Sequence, residues 1–218
     1  MSAPDISIII PVYNNAKELA ECLASIHRQT LKPSEVIIVD DGSGEPIGKI
    51  EGSCVIRQEN RGAPAARNRG FKESRGEYVI FCDADVVMRP NMLATMSKVL
   101  DENPDVSYAY SSFKFGWKKF KLWEFSADKL RQMPYIHTTS LMRRKHFPGF
   151  DESLKRLQDW DLWLKMLAEG HSGTWINEVL FTVTSGGTIS RWLPSFLAGR
   201  NTAYRHAVLQ VKRKHHLT

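Results

Sequence analysis

The chain opens with a short apolar run followed by an amphipathic segment. The run from Asp5 to Val12 is rich in isoleucine, and such short continuous runs are typical of buried strands. The next segment, from Asn14 to about Arg28, carries Leu19, Leu23 and Ile26 at helical spacing. The pattern predicts a strand and then a helix, with Asn14 as the N-cap residue of the helix.

The same alternation continues through the first hundred residues. It predicts strands at 35–39, 54–56 and 77–82, and helices at 63–73 and from Pro90 to about Leu100. Repeated strand–helix–strand units favour a parallel sheet with right-handed crossovers and helices on its faces. We therefore predict an α/β fold.

The pattern loosens after residue 105. It predicts strands at 106–115, 136–142 and 179–184, a short helix at 159–168, a flexible loop at 185–187, and a helix from Arg191 to about Lys212 with a basic end. No internal repeat and no linker separates two independent domains. We expect a single domain in which residues 1–105 bind one ligand and residues 106–190 bind another, followed by a C-terminal helix and basic tail at 191–218.

The composition fits one globular core. With 218 residues and 42% hydrophobic content, the chain is long enough for one sizeable core. No run reaches the ~20 apolar residues of a membrane span, and the first apolar stretch is too short for a signal peptide. Cys22, Cys54 and Cys82 have no metal or redox spacing, so we expect buried thiols and a cytoplasmic protein.

The net charge is +6, from 30 basic and 24 acidic residues, and it does not choose among partners. The aromatic stretch 113–123 holds Lys114, Lys118, Lys119 and Lys121. Such a stretch suits the surface of an anionic membrane, but it equally suits an ordinary solvated face over buried rings. The basic tail at 212–216 leaves the same choice between lipid head groups and a disordered end. No nucleic-acid recognition motif is present, so nucleic acid is not an expected partner.

Two carboxylates follow the predicted strand at 77–82. Asp83 and Asp85 emerge where, in an open α/β sheet, the ligand crevice lies. Hard divalent cations such as Mg²⁺ and Mn²⁺ prefer oxygen ligands and often bridge carboxylates to substrate phosphates. Alone, the pair is also compatible with a strand-end turn.

The whole series of motifs is more specific than this pair. The segments run in the order Ile8–Asn14, Ser25–Thr30, Val39–Ser43, Asn60–Gly62, Ala66–Gly70, Asp83–Asp85, Gly149–Glu152 and Gln158–Asp161. Over residues 5–190 the chain resembles the inverting family-2 glycosyltransferases of the GT-A fold, a Rossmann-like, mostly parallel mixed sheet flanked by helices. The resemblance implies a nucleotide-sugar donor, with a UDP-sugar preferred, and a divalent cation, Mn²⁺ or Mg²⁺.

The resemblance implies a binding site for the donor base in the loops after the first two strands. Tyr13 would stack on the base, while Pro11 and Asn14 shape the same loop. Asp41 would accept a hydrogen bond from the base, and Asp40 would brace its loop. The simpler alternatives are a half-exposed ring at Tyr13 and turn formation by the two aspartates.

The resemblance also assigns residues to the diphosphate and the metal. Arg67 would lie near the base or phosphates, and Asn68 would brace the same loop. Asp83 would contact the ribose and help to hold the metal, with Asp85 as the firmer metal ligand. Arg67 is almost equally compatible with a stem that merely covers a helix face.

Inverting transfer needs a base for the acceptor hydroxyl, and Asp159 matches the family's position for it. Gln158 stands where the family commonly has Glu. Trp160 and Asp161 are candidates for acceptor binding, although Trp160 is as compatible with the core and Asp159 with a helix N-cap. The loop at 184–188 lacks the His that many relatives carry there.

These assignments predict a hexosyltransferase-type enzyme of polysaccharide and cell-envelope synthesis. Residues 1–105 would be the donor half and residues 106–190 the acceptor and catalytic half. The acceptor would be a hydroxyl of a glycan or a lipid-linked saccharide, with contact at the inner face of the cell membrane left open. The alternatives are a catalytically degenerate nucleotide- or glycan-binding module and a sugar-nucleotidyltransferase, although the latter needs a Gly-rich signature where this chain has residues 11–14.

Overall fold

The computed structural model describes residues 4–184 and 202–217. The strands are β1 (Ile6–Val12), β2 (Glu35–Asp40), β3 (Cys54–Arg57), β4 (Tyr78–Phe81), β5 (Val86–Met88), β6 (Tyr108–Phe115), β7 (Lys118–Phe120), β8 (Leu141–Arg143) and β9 (Gly173–Val183). The helices are α1 (Ala16–His27), α2 (Ala63–Glu73), α3 (Met92–Glu102), α4 (Ala127–Gln132), α5 (Gln158–Ala168) and α6 (Thr202–Lys214). A single 3₁₀ turn covers Arg144–His146.

All of these strands join one mixed sheet, in the order β3-β2-β1-β4-β8-β6-β9-β5 with β7 paired to β6. The β3-β2-β1-β4 half is parallel, as the alternation in the first hundred residues predicts. Strand β8 runs antiparallel to both β4 and β6, and so joins this half to the rest. Because β1, β2 and β4 are parallel, their carboxyl ends meet at one edge of the sheet, which confirms the predicted α/β class.

The core lies on both faces of the sheet. Along β1, Ile8 and Ile10 belong to the apolar cluster that contains residues of α1 and α3. Ile9 points to the opposite cluster, with Phe81 and the apolar face of α5. Successive side chains of a strand point to opposite faces, so a strand covered on both sides must be apolar throughout. The isoleucine run of β1 follows from this burial.

The second half departs from the predicted boundaries. The strand expected at 136–142 is only Leu141–Arg143, because the preceding residues form a tight turn in which Ser140 Oγ donates to the His137 carbonyl. Strand β9 begins at Gly173 rather than near residue 179. The short elements β5, β7 and α4 were not predicted, since three to six residues carry too little periodicity to be recognised.

The cysteines differ in burial. Cys22 and Cys82 are buried with their Sγ atoms 3.6 Å apart, but Cys54 is exposed. Strand β3 ends the sheet order, so Cys54 lies on an edge strand. The expectation of a buried thiol is wrong for this residue.

Gly70 sets how closely α2 approaches the sheet. A Cβ at this position would collide with Ile9 Cγ2 and come within 3.2 Å of Val39 Cγ2. We expect Gly70→Ala to lower the free energy of unfolding by about 1–3 kcal/mol, because overpacking outweighs the gain in helix propensity. Urea denaturation measures the change. Gly48→Ala is the matched control, since a Cβ there meets nothing within 4 Å, and an equal loss in both variants would contradict the packing argument.

Candidate active site

The loop after β1 is held to the loop after β2. Asn14 adopts a left-handed conformation, with φ of 53°, and its side-chain Oδ1 accepts from Gly44 N at 2.9 Å. Its own N–H donates to Ser43 Oγ at 3.0 Å. Asn14 therefore shapes this loop, as predicted, but it is not the helix cap, because Asn15 occupies that position. Pro11 lies at the end of β1, and Tyr13 leaves 45% of its surface open to solvent.

Asp40 and Asp41 are both buried at the end of β2. Asp40 accepts from Ser43 N at 2.9 Å and from Arg57 Nη1 at 2.6 Å. Burial raises its pKa, but the hydrogen bonds from Ser43 and Ile47 and the Arg57 charge outweigh this and hold the pKa below its usual value. These contacts make Asp40 a brace for its own loop.

Asp41 is tied to the segment that leads into α2. Its Oδ1 accepts from Gln58 Nε2 at 2.8 Å and from Arg61 N at 3.0 Å, and its Oδ2 accepts from Gly62 N at 2.8 Å. Oδ2 accepts only one of these three hydrogen bonds, and a carboxylate oxygen can accept two or more. Asp41 Oδ2 therefore has room to accept a further hydrogen bond, from the N–H of a ligand, while the side chain still holds this loop.

Arg67 connects the residues that follow β4 to the first turn of α5. Its Nη2 lies 2.6 Å from Asp83 Oδ1, and its Nη1 donates to Gln158 Oε1 at 3.1 Å. Burial raises the pKa of Asp83, but the charge of Arg67, the charge of His137 and the hydrogen bond from Arg67 together outweigh burial and hold the pKa below its usual value. The side chain of Arg67 is 7% exposed, so it does more than cover a helix face.

Gln158 takes part in this contact without a charge. Its amide also donates to the Leu154 carbonyl at 3.0 Å, which fixes the orientation of the side chain. A glutamate here would compete with Asp83 for the charge of Arg67. With glutamine, the full positive charge of Arg67 faces Asp83.

Asp85 is the buried partner of Asp83. Burial and the neighbouring charge of Asp83 raise its pKa to about 7. Its backbone carbonyl accepts from both the N–H and the Oγ1 of Thr184, at 2.8 and 3.0 Å, which holds the strand end in place. A carboxylate so disfavoured in its charged form gains from a cation.

Asp83 and Asp85 have the chemistry to supply two ligands to a divalent cation. Within residues 4–184 and 202–217 no group of three or more His, Cys, Asp or Glu side chains lies together for a metal. Mg²⁺ is commonly held by one or two protein carboxylates together with substrate phosphates. Asp83 and Asp85 fit that arrangement.

Asp159 lies at the start of α5. The helix begins after Leu157, which occupies the N-cap position in a left-handed conformation with φ of 57°. Asp159 is therefore not the N-cap, and its Oδ1 accepts from Trp160 N at 2.8 Å. Burial raises the pKa of Asp159, against the opposing effect of His137. Bulky residues rarely adopt the left-handed region, and such strain is concentrated at functional sites.

His137 is a site residue that sequence reasoning missed. Burial lowers its pKa, while the charges of Asp83 and Asp159 act on the ring in the opposite direction. Its Nδ1 accepts from Thr139 N at 3.0 Å, so the neutral ring carries its proton on Nε2. Phe113 and Phe181 hold the ring, with centroids 5.3 and 5.2 Å away. The sequence predicts a strand at 136–142, and nothing in that local pattern indicates that His137 faces two carboxylates from distant segments.

Asn68 of α2 holds together two distant segments of the chain. Its side chain donates to the Phe150 carbonyl and accepts from Phe150 N, both at 2.9 Å. It also donates to Glu152, which pairs with Arg61 at 2.7 Å. The predicted Gly149–Glu152 motif is therefore held by α2, directly beside Arg67.

The two predicted acceptor residues lie where no acceptor can reach them. Trp160 is fully buried, and its Nε1 donates to the Leu130 carbonyl at 2.6 Å. Asp161 is also fully buried, and its carboxylate contacts Lys165, Lys214 and His215. Both side chains lie on the buried face of α5. The prediction that Trp160 and Asp161 bind the acceptor is therefore wrong.

Comparison with known proteins agrees with this geometry. Residues 7–155 match the family model described as Glycosyl transferase family 2. This chain belongs to glycosyltransferase family 2.

Two curated proteins are similar to this chain over most of its length. It is 33% identical to an uncharacterized glycosyltransferase of Haemophilus influenzae over 185 residues, 75% of this chain and 62% of that protein. It is also 33% identical to the uncharacterized glycosyltransferase RT0329 of Rickettsia typhi over 189 residues, 76% of this chain and 59% of that protein. The chain thus spans about three fifths of the length of these curated relatives.

Solved structures confirm the GT-A fold. The S. aureus TarS structure in complex with UDP-GlcNAc is similar with a TM-score of 0.76 and 20% identity, over 96% of this chain and 66% of that one. The TarS complex with UDP gives a TM-score of 0.71 and 22% identity, over 83% and 60% of the two chains.

Two further predictions for this family member concern membranes and the late loop. Among the residues that the structure describes, no helix is long and apolar enough to cross a bilayer. The glycine loop at 185–187, with its missing His, lies outside the described residues, as does the predicted start of the last helix at Arg191.

The last helix of this family member is docked at its basic end, where a disordered end was one of the two expectations. Lys214 at the end of α6 contacts Asp151 and lies 2.7 Å from Asp161, and His215 lies 2.8 Å from the same Asp161 carboxylate. The hydrogen bond from Lys214 holds the pKa of Asp151 well below its usual value of 3.8. Part of the predicted basic tail therefore contacts α5 and the Gly149–Glu152 motif that precedes it.

We expect Lys214→Met to lower the free energy of unfolding at neutral pH by about 1–2 kcal/mol, since it removes the cation of a partly exposed pair. The lowered pKa of Asp151 means that this stabilisation is present above pH 3.8 and is lost as the pH falls through the folded-state pKa. Urea denaturation at neutral and acid pH measures it. Arg213→Met is the control, because its exposed side chain makes none of these contacts, and a pH-independent difference would contradict the pairing.

Proposed function

We propose that this chain is an inverting, metal-dependent glycosyltransferase that uses a nucleotide-sugar donor, with UDP as the preferred nucleotide. The observation that supports this most is the Asp83–Arg67–Gln158 contact, which joins the carboxylates after β4 to the first turn of the helix that carries the candidate base. The donor half would be residues 1–105, and the acceptor and catalytic half residues 106–190. The UDP-GlcNAc and UDP complexes of TarS favour the same donor class.

The donor would bind across the loops after β1 and β2. The exposed ring of Tyr13 offers a face on which a base can stack. Asp41 would accept from the base while holding its own loop, and Arg67 would oppose the negative charge of the diphosphate. The cation held by Asp83 and Asp85 would act as a Lewis acid that stabilises the leaving nucleoside diphosphate.

The chemical step needs one proton acceptor. The acceptor hydroxyl oxygen attacks the anomeric carbon, the bond to the nucleoside diphosphate breaks, and the Asp159 carboxylate takes the hydroxyl proton. The positive end of the α5 dipole favours the ionised form of a carboxylate at this position. Attack opposite to the leaving group inverts the anomeric centre.

The direct test is the thermal stability of the purified protein with UDP, GDP, ADP and CDP, each with Mn²⁺ and with EDTA. A ligand that binds only the folded state raises stability by mass action. We expect a metal-dependent rise with UDP, and the corresponding UDP-sugars should then give transfer to a saccharide acceptor. Metal-dependent UDP binding without transfer would favour the degenerate module, and release of pyrophosphate from UTP and a sugar phosphate would favour the nucleotidyltransferase.

A further inference from the structure

A tryptophan at the tip of a hairpin is the most exposed large apolar side chain of the described residues. Strands β6 and β7 are joined by Gly116 and Trp117, and Trp117 is 90% exposed. Gly116 has φ of 55°, a left-handed conformation that suits a tight turn. The turn therefore presents the indole away from the body of the protein. We call residues 113–121 the Trp117 hairpin.

The Trp117 hairpin is rigid at its base. Phe113 and Phe120 are paired across the two strands and stack with centroids 5.1 Å apart. Phe113 also stacks on Phe181 of β9, with centroids 5.3 Å apart. The indole is thus displayed by an ordered element anchored in the sheet.

The charges of the Trp117 hairpin are of one sign. It holds four lysines and no acidic residue. Lys114 and Lys119 lie directly opposite each other in the strand register, an arrangement of like charges that destabilises a sheet. Over the described part of the chain, no acidic side chain forms an ion pair with Lys114, Lys119 or Lys121. An anionic surface outside the protein would relieve this repulsion.

The Trp117 hairpin leaves the sheet close to the metal carboxylates. Gly116 N donates to the Val183 carbonyl at 2.9 Å, and the next residue, Thr184, donates to the Asp85 carbonyl at 2.8 Å. Only the end of strand β9 therefore lies between the hairpin turn and Asp85. Whatever the hairpin binds is held at the edge of the candidate active site.

We propose that the Trp117 hairpin docks this protein on an anionic membrane surface, with the indole in the interfacial region and the lysines against the lipid head groups. Tryptophan is enriched at that interface, and lysines near it are attracted by anionic lipids. A saccharide platform would explain the exposed indole, but it would not explain why residues 113–121 contain four lysines and no aspartate or glutamate. If the proposed glycosyl transfer is correct, docking at this edge selects an acceptor saccharide that is attached to a membrane lipid.

Vesicle binding tests the docking without donor or acceptor. The protein is sedimented with vesicles of phosphatidylcholine alone and of phosphatidylcholine mixed with phosphatidylglycerol. We expect binding only to the anionic vesicles, with a blue shift of the tryptophan emission. Neutralising two lysines in the variant Lys114→Gln/Lys119→Gln should weaken partition about 25-fold, at roughly fivefold for each lysine. Trp117→Ser should weaken it about tenfold and abolish the blue shift.

The controls separate this proposal from the function on which it partly rests. Lys49→Gln/Lys72→Gln removes the same charge from exposed positions elsewhere and should bind anionic vesicles as the unchanged protein does. All variants should keep the metal-dependent stabilisation by UDP. UDP stabilisation without vesicle binding would overturn the docking alone, whereas vesicle binding without any nucleotide effect would overturn the proposed function alone. Unchanged vesicle binding by Trp117→Ser, with loss of binding to an anionic polysaccharide, would make the hairpin a glycan surface and also overturn the docking.

Discussion

Replacing Asp159 with Asn is expected to lower kcat for sugar transfer by a factor of about 10² to 10⁴, the range that one general base contributes. Asparagine keeps the size of the side chain and can still accept from Trp160 N, so the start of α5 should be unchanged. Nucleotide binding should also be unchanged, because Arg67, Asp83 and Asp85 are intact. The measurement is the initial rate of transfer at saturating donor, beside the thermal stabilisation by UDP and Mn²⁺.

The pH dependence distinguishes a base from a structural carboxylate. A base must be ionised, and burial raises the pKa of Asp159, so kcat should fall as the pH is lowered through that pKa. The residual rate of Asp159→Asn should lose this acid limb. Asp105→Asn, an exposed aspartate outside the site, is the control and should keep both rate and profile. Full transfer activity in Asp159→Asn would remove the residue from the mechanism.

The parallel half of the fold could be predicted because its signals are local. The bounds of α2 agree with the predicted 63–73, and the strands that carry the candidate site were all expected near their observed positions. Each of these strands is buried on both faces, so its sequence is mostly apolar and is followed by polar residues at its carboxyl end. The edge at which Asp83 and Asp85 emerge follows directly from this pattern.

The roles of the residues around Asp159 depend on contacts across the chain. The buried Asp161 carboxylate is paired with Lys214 at the end of α6 and with His215 directly after it, and no local pattern indicates such partners. Trp160 could have been assigned correctly, since Trp160, Trp163 and Leu164 follow the helical spacing of a buried face. His137 required the fold itself, because Asp83 and Asp159 approach it from two distant segments.

Replacing Asp85 with Asn is expected to abolish the stabilisation that UDP and Mn²⁺ give together. At a nucleotide concentration about 100 times Kd this stabilisation would amount to about 2.7 kcal/mol, so its loss is easily measured by thermal denaturation. The amide cannot supply the negative charge that a hard divalent cation prefers. EDTA added to the unchanged protein should reproduce the loss.

The stability of the ligand-free variant decides whether Asp85 serves binding or folding. Burial and the charge of Asp83 raise the pKa of Asp85 to about 7, so above that pH the folded protein holds an unfavourable buried charge. Asparagine removes that charge, and at pH 8 the ligand-free variant should therefore be at least as stable as the unchanged protein. Asp101→Asn is the control, since that carboxylate accepts from Tyr78 away from the site and the variant should keep its nucleotide response. A ligand-free Asp85→Asn protein that is less stable, yet still responds to UDP and Mn²⁺, would make Asp85 a structural residue and leave Asp83 alone to hold the cation.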